Sequence, residues 1–139
     1  MKTGYTVADI MMQDVLTTSP DEKLQHCAKL MAMKKIGSLV IEDKGAVAGI
    51  LTEQDLARKV VAQGVDAVRT AVSSFMSRRV VTIAPEEDLY TAMVEMGKHN
   101  IKHLPVLKEE KLVGIITFKD IIKIEPALIE KLWAKADEE

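Results

Sequence analysis

Very little in this chain can build a covalent or metal-based scaffold. Cys27 is the only cysteine among 139 residues, so neither an intrachain disulfide nor a zinc site of several thiolates is available. Aromatic residues make up 4%, which leaves Leu, Ile, Val, Ala and Met to fill a core from the 47% that is hydrophobic. An excess of one charge is also lacking. Lys and Arg number 19 against 21 Asp and Glu, for a net charge of −2, which removes the electrostatic drive toward nucleic acid or an anionic membrane. No apolar run approaches the ~20 residues of a membrane span, and Met1-Lys2-Thr3-Gly4-Tyr5 does not open a signal peptide. A cytoplasmic location is expected. Asparagine is almost missing as well. Asn100 stands alone beside 29% charged residues, a balance that leans toward a thermophilic source.

What the chain does have is a duplication. The stretch from Val7 to Leu56 recurs from Val72 to Ile121 without an insertion, pairing Met11 with Met76, Thr17 with Thr82, Pro20 with Pro85, Met31 with Met96 and Leu39 with Leu104. Gly49-Ile50-Leu51-Thr52-x-x-Asp55 returns as Gly114-Ile115-Ile116-Thr117-x-x-Asp120. An ungapped repeat of this length is one supersecondary unit used twice, each copy needing the other to cover its apolar face.

Each copy changes its hydrophobic period in the same order. Val15–Thr18 and Val80–Ile83 are short β-branched-rich runs that predict strands. Pro20-Asp21-Glu22 and Pro85-Glu86-Glu87 suit the first turn of a following helix. Leu24, Cys27, Ala28 and Met31 then fall at helical spacing, as do Leu89, Ala92, Met93 and Met96. Ser38–Ile41 and Val47–Leu51 predict a hairpin, repeated at His103–Leu107 and Leu112–Ile116, with continuous apolar runs that suit burial on both faces. A last helix begins near Glu53 and ends at Gly64; its counterpart begins near Phe118. The unit is β-α-β-β-α used twice, an α+β fold with domains at 7–64 and 72–125. The segment 127–139, carrying Leu128, Leu132 and Trp133, reads as an amphipathic C-terminal helix.

Chemistry-bearing residues are few. Threonine followed three residues later by aspartate is first of all a capping box, in which Thr52 and Thr117 satisfy free amide donors at a helix start. The same helix starts offer amide donors to an anion. His26, His99 and His103 show no metal-ligand spacing with a carboxylate, and His26 and His99 are expected in solvent. Cys27 lies on an apolar stripe, as a buried and inert thiol should. Met31, Met33, Met93 and Met96 are expected in the core or between helices. Arg78-Arg79 is too short for a nucleic-acid patch. No Ser/His/Asp or Cys/His arrangement is present, so no enzyme is expected.

Taken together, Met11 and Met76, His103-Leu104-Pro105-Val106 and the two Gly-Ile-hydrophobic-Thr-x-x-Asp segments resemble the CBS domain, and the doubled unit resembles a CBS pair, or Bateman module, over most of the chain. The resemblance implies tandem repeats packed with pseudo-two-fold symmetry and a regulatory module sensing an adenosine-type ligand (AMP, ADP or ATP, or S-adenosylmethionine or NAD) in clefts between repeats. The adenine nucleotide is an effector, and no cofactor is required. By the same resemblance Asp55 and Asp120 hold ribose hydroxyls, while Thr52 and Thr117 lie near phosphate. Lys102 and His103 stand where basic residues face phosphate in this family, and Gly37 and Ser38 are their matches in the first copy. A third wall is expected from Met12 and Gln13 for the second site and from Ser77 and Arg78 for the first. Lys119 keeps a basic residue before the aspartate, where the first copy has Gln54. The second site is therefore the expected better nucleotide binder. A phosphate beside His103 would favour its imidazolium form, making binding pH-sensitive near the ordinary value of about 6.5. CBS pairs commonly dimerise through their helices, so a homodimer is expected, with a separate enzyme or transporter as the regulated partner. The alternative is a protein-interaction adaptor with vestigial nucleotide sites.

Overall fold

The structure, a computed structural model, describes residues 2–124 together with Pro126, Glu130 and Ala134. Along the chain it places α1 (Val7–Ile10), β1 (Thr17–Thr18), α2 (Leu24–Lys34), β2 (Ser38–Asp43), β3 (Ala46–Thr52) and α3 (Glu53–Asp55), which continues as a π-helical stretch over Leu56–Val61. A 3-10 turn at Val72–Ser74 is followed by α4 (Leu89–His99), β4 (His103–Lys108), β5 (Lys111–Thr117) and α5 (Phe118–Ile122). This is the expected mixed α+β fold, with the same elements repeated. Of the C-terminal helix expected at 127–139, Glu130 and Ala134 are helical, and Leu128, Leu132 and Trp133 lie outside the described residues. No helix among the described residues is long and apolar enough to cross a membrane.

The compact units are cut differently from the repeats. A central unit is Leu16–Val80, and a flanking unit joins Met1–Val15 to Val81–Glu139. Each has its own core. In the central unit Leu24, Cys27 and Met31 of α2 pack with Leu39, Ile41, Leu51, Val60, Val72 and Met76. In the flanking unit Leu89, Ala92 and Met96 of α4 pack with Val7, Ile83, Leu104, Val106, Ile116 and Ile121. Val7 opens the first copy yet is fully buried in the core of the second, and Val72 is likewise fully buried in the core of the first. Met33, by contrast, is 73% exposed, so the expectation that it packs in the core or between helices fails within this chain.

The opening segments are held in this exchange by the chain just before each long helix. The Val7 and Ala8 amides donate to the Glu87 and Pro85 carbonyls at 2.8 and 3.0 Å, and the Val72 and Ser73 amides donate to Glu22 and Pro20 at 2.7 and 3.1 Å. The Pro-acid segments therefore do not form a first helical turn, as their composition suggested. Their carbonyls are acceptors for the first amides of α1 and of the 3-10 turn, and the long helices start later, after N-caps at Lys23 and Asp88.

The two N-termini are capped by different means. The Leu24 and Gln25 amides of α2 donate to the Thr70 and Ala67 carbonyls at 2.9 and 3.0 Å. In α4 the Asp88 carboxylate accepts from the Tyr90 amide at 2.8 Å, and from the Thr3 amide and hydroxyl at 3.1 and 3.0 Å. Partial burial pushes the Asp88 carboxyl up, but hydrogen bonds from Tyr90 and Thr3 outweigh it and hold the group below its ordinary 3.8. A carboxyl with a lowered native pKa stabilises the fold above its unfolded value and stops doing so as pH falls through the native one. Asp88→Asn should cost about 1 kcal/mol near neutrality and flatten the loss of stability below pH 3.8, as read by acid unfolding followed by circular dichroism.

In the central unit β1 runs parallel to β2, with Thr17 beside Val40 and Thr18 beside Ile41, and β2 pairs antiparallel with β3. In the flanking unit β4 and β5 pair in the same antiparallel register. The strand expected at Val80–Ile83 is reduced there to a single parallel bridge between Ile83 and Val106. Pro105 explains the loss. It occupies the place of Val40 and has no N–H to donate to a further rung. Both hairpins close through two residues with positive φ. Lys44 and Gly45 stand at 53° and 81°, but Glu109 and Glu110 stand at 51° and 67° without a glycine. Two like-charged glutamates in the left-handed region are costly, so Asn-Gly at 109–110 should raise stability by about 1–2 kcal/mol, visible as a higher thermal midpoint.

Candidate ligand sites

Three segments converge at the open end of the β2–β3 hairpin in the central unit. Ser38, at the start of β2, lies opposite Thr52 at the end of β3, and the Glu53 amide donates to the Gly37 carbonyl at 3.1 Å. This ties the strand start to the helix start. Thr52 and Asp55 form the full capping box, with the Asp55 amide donating to the Thr52 hydroxyl at 3.2 Å and the Thr52 amide to Asp55 Oδ2 at 2.9 Å. Ser77 runs alongside β3, where its amide and carbonyl bond Ile50 at 2.9 and 3.0 Å. Arg78 follows, exposed, with Nη2 donating to the Ser73 carbonyl at 3.1 Å. That contact draws it back along its own segment.

The flanking unit repeats this geometry. His103 lies opposite Thr117, and the Phe118 amide donates to the Lys102 carbonyl at 2.9 Å. The Asp120 amide donates to the Thr117 hydroxyl at 3.2 Å, and Asp120 Oδ2 accepts from the Thr117 hydroxyl and amide at 2.8 and 3.3 Å. Met12 plays the part of Ser77, bonding Ile115 through both its amide and carbonyl at 2.8 and 2.9 Å. Met12 is 46% exposed, and Gln13, Lys102 and Lys119 are exposed around it. Thus the candidate residues of each set, Gly37, Ser38, Thr52, Asp55, Ser77 and Arg78 on one hand and Met12, Gln13, Lys102, His103, Thr117, Lys119 and Asp120 on the other, lie within one compact unit.

The glycine of each Gly-Ile motif has a steric reason. A Cβ on Gly49 would stand 2.5 Å from Met76 Sδ and 3.0 Å from the Ser77 carbonyl oxygen. On Gly114 it would stand 2.6 Å from Met11 Sδ and 3.0 Å from the Met12 carbonyl oxygen. The methionine and the glycine are two halves of one contact, and they bring the third segment against the strand.

Lys59 stands beside the central capping box, outside the Thr-x-x-Asp motif. Its Nζ stands 3.0 Å from Asp55 Oδ1, with side-chain exposures of 45% for Lys59 and 13% for Asp55. An Asp–Lys pair at i, i+4 is the signal that finds it. The second copy has Ile124 at the matching place, and among the described residues no cation stands in ion-pair distance of Asp120.

The remaining reactive groups have simpler surroundings. Cys27 is buried, and desolvation, aided by the charge of Glu22, pushes its thiol up to about 11, which suits an inert core residue. His26 is exposed. His99 pairs with a carboxylate one helical turn before it, its Nε2 lying 3.2 Å from Glu95 Oε2. Among the described residues no three His, Cys, Asp or Glu side chains form a group able to hold a metal ion.

A doubled hairpin-and-helix unit with one capping-box helix start per copy defines a tandem repeat module. The family model for the CBS domain matches residues 7–62 and 72–126, and the chain belongs to that family. The CBS domain-containing protein YhcV of Bacillus subtilis (strain 168) is 35% identical over 116 residues, spanning 84% of this chain and 82% of the relative. The CBS-domain containing protein ATU1752 from Agrobacterium tumefaciens superposes with a TM-score of 0.80 at 32% identity, over 86% of this chain and 98% of that one. The CBS domain pair of protein MJ0100, in complex with 5′-methylthioadenosine and S-adenosyl-L-methionine, superposes with a TM-score of 0.79 at 30% identity, over 86% and 94%. CBS pair modules are regulatory ligand-binding domains.

Proposed function

We propose that the chain is a regulatory sensor of an adenosine-type ligand, with AMP, ADP, ATP or S-adenosylmethionine as the effector class. The observation that carries this reading is the repeated meeting of strand start, capping-box aspartate and exposed wall segment at one end of each hairpin. Asp120 and Asp55 accept hydrogen bonds from the ribose hydroxyls, and Thr117 and Thr52 face phosphate. Lys102, His103 and Lys119 supply positive charge. Exposed Met12 gives the purine ring an apolar face, and Gln13 borders it; Gly37, Ser38, Ser77 and Arg78 have the corresponding places in the central unit. The adenosyl ligands bound by the CBS pair of MJ0100 support the class.

Ligand acts by preferring one arrangement of the module, because only differential affinity shifts an equilibrium. The assembly in this reading is a homodimer, and the output passes to a separate enzyme or transporter. Calorimetric titration with AMP, ATP and S-adenosylmethionine tests the binding step: at least one should bind with sub-millimolar Kd, and Asp120→Asn or Asp55→Asn should weaken it about tenfold or more, the loss of one charged hydrogen bond. Absence of sub-millimolar binding, or binding indifferent to both Asp55 and Asp120, sinks the reading. Light scattering checks the dimer.

A further inference from the structure

We propose that the two units sort adenosyl ligands by charge, the flanking unit taking a phosphate-bearing nucleoside and the central unit a phosphate-free one. This rests on the adenosine reading above and adds what each unit selects. Around the central helix start stand Glu53, Gln54, Asp55 and Lys59, and in the same places of the flanking unit stand Phe118, Lys119, Asp120 and Ile124. The strand starts differ in the same direction, Gly37-Ser38 against Lys102-His103. The central set therefore carries two acids and one lysine, and that lysine is spent on Asp55 at 3.0 Å. The flanking set carries two lysines and one acid.

The carboxylates differ in availability as well. Asp55 has Oδ1 on Lys59 and Oδ2 on the Thr52 amide. Asp120 uses Oδ2 for both of its contacts with Thr117, and among the described residues its Oδ1 has no partner. Arg78 keeps its charge, but its guanidinium donates to the Ser73 carbonyl at 3.1 Å, back along its own segment and away from the helix start. A phosphate beside Thr52 meets Glu53 with no unpaired cation among the residues at the helix and strand starts. Beside Thr117 it meets Lys102 and Lys119. A neutral nucleoside pays no such penalty in the central unit, where the Asp55 oxygens keep lone pairs for ribose.

The test is calorimetric titration of the whole chain with AMP and, separately, with adenosine, in the wild type and in Asp55→Asn and Asp120→Asn. Both variants keep an acceptor oxygen at the cap, and thermal melts confirm the fold. AMP should weaken roughly tenfold or more in Asp120→Asn and stay within about twofold in Asp55→Asn; adenosine should still bind in Asp120→Asn, through the central unit. AMP binding should also fall with added salt, and adenosine binding should not. In the Asp120→Asn background, Glu53→Gln with Gln54→Lys should restore AMP binding, at the central unit. Loss of both ligands in the same variant, or equal AMP binding at both units, overturns the sorting while leaving the adenosine reading intact. Failure of both ligands to bind the wild type overturns the two together.

Discussion

Gly114→Ala should destabilise the flanking unit and weaken nucleotide binding there, although it adds a single methyl group. The new Cβ would lie 2.6 Å from Met11 Sδ and 3.0 Å from the Met12 carbonyl oxygen. The thioether is flexible and can turn aside. The carbonyl cannot, because Met12 is bonded to Ile115 through both its amide and its oxygen, at 2.8 and 2.9 Å. The segment must therefore lift from β5, at an overpacking cost of about 1–3 kcal/mol. Met12 and Gln13 move with it, so AMP affinity should fall alongside the thermal midpoint. Gly97→Ala is the control. A Cβ there meets nothing within 4 Å inside helix α4, and the same substitution should stabilise by about 0.5–1 kcal/mol. Thermal melts of both variants, with titration of Gly114→Ala, check the opposite signs. A neutral Gly114→Ala would mean that the Met–Gly contact does not fix the wall.

Much of this architecture was legible because the repeat made each local signal appear twice. The helical spacing of Leu24, Cys27 and Met31 and of Leu89, Ala92 and Met96 became the buried faces of α2 and α4. Both Thr-x-x-Asp segments became capping boxes, since that motif is satisfied within four residues. What was not legible depends on contacts distant in sequence. Nothing in the periodicity says on which copy Val7 packs, for the Pro20 and Pro85 segments offer the same carbonyls. The strand at Val80–Ile83 had the right composition and failed for want of an N–H on Pro105, a partner more than twenty residues away. The candidate sites show the same division. Charge differences at Lys102, His103 and Lys119 stood in the alignment of the copies, whereas the Asp55–Lys59 pair needed a helix geometry to connect the two. The match of Met11 to Gly114 is a contact through space that no spacing rule contains.

The exchange of opening segments makes the largest stability prediction. Removing residues 1–12 takes Val7 out of a core where it is fully buried, a side chain worth about 1.5–3 kcal/mol. It also strips the hydrogen bonds of Glu87 and Pro85 to the arm, the bond from the Leu89 amide to the Tyr5 carbonyl, and both bonds between Met12 and Ile115. At about 1 kcal/mol for each bond, the total approaches the roughly 5–15 kcal/mol that holds a whole domain. The flanking unit should therefore unfold. The central unit has its own opening segment in Val72 and Met76 and keeps it. Hydrogen exchange read by mass spectrometry should show protection lost over α4, β4 and β5 and kept over α2, β2 and β3. The opposite pattern is what folding by repeats would give: the truncation falls in the first copy, so α2, β2 and β3 would lose protection while the second copy kept it. The two outcomes separate a chain whose copies each complete the other from one whose copies fold side by side.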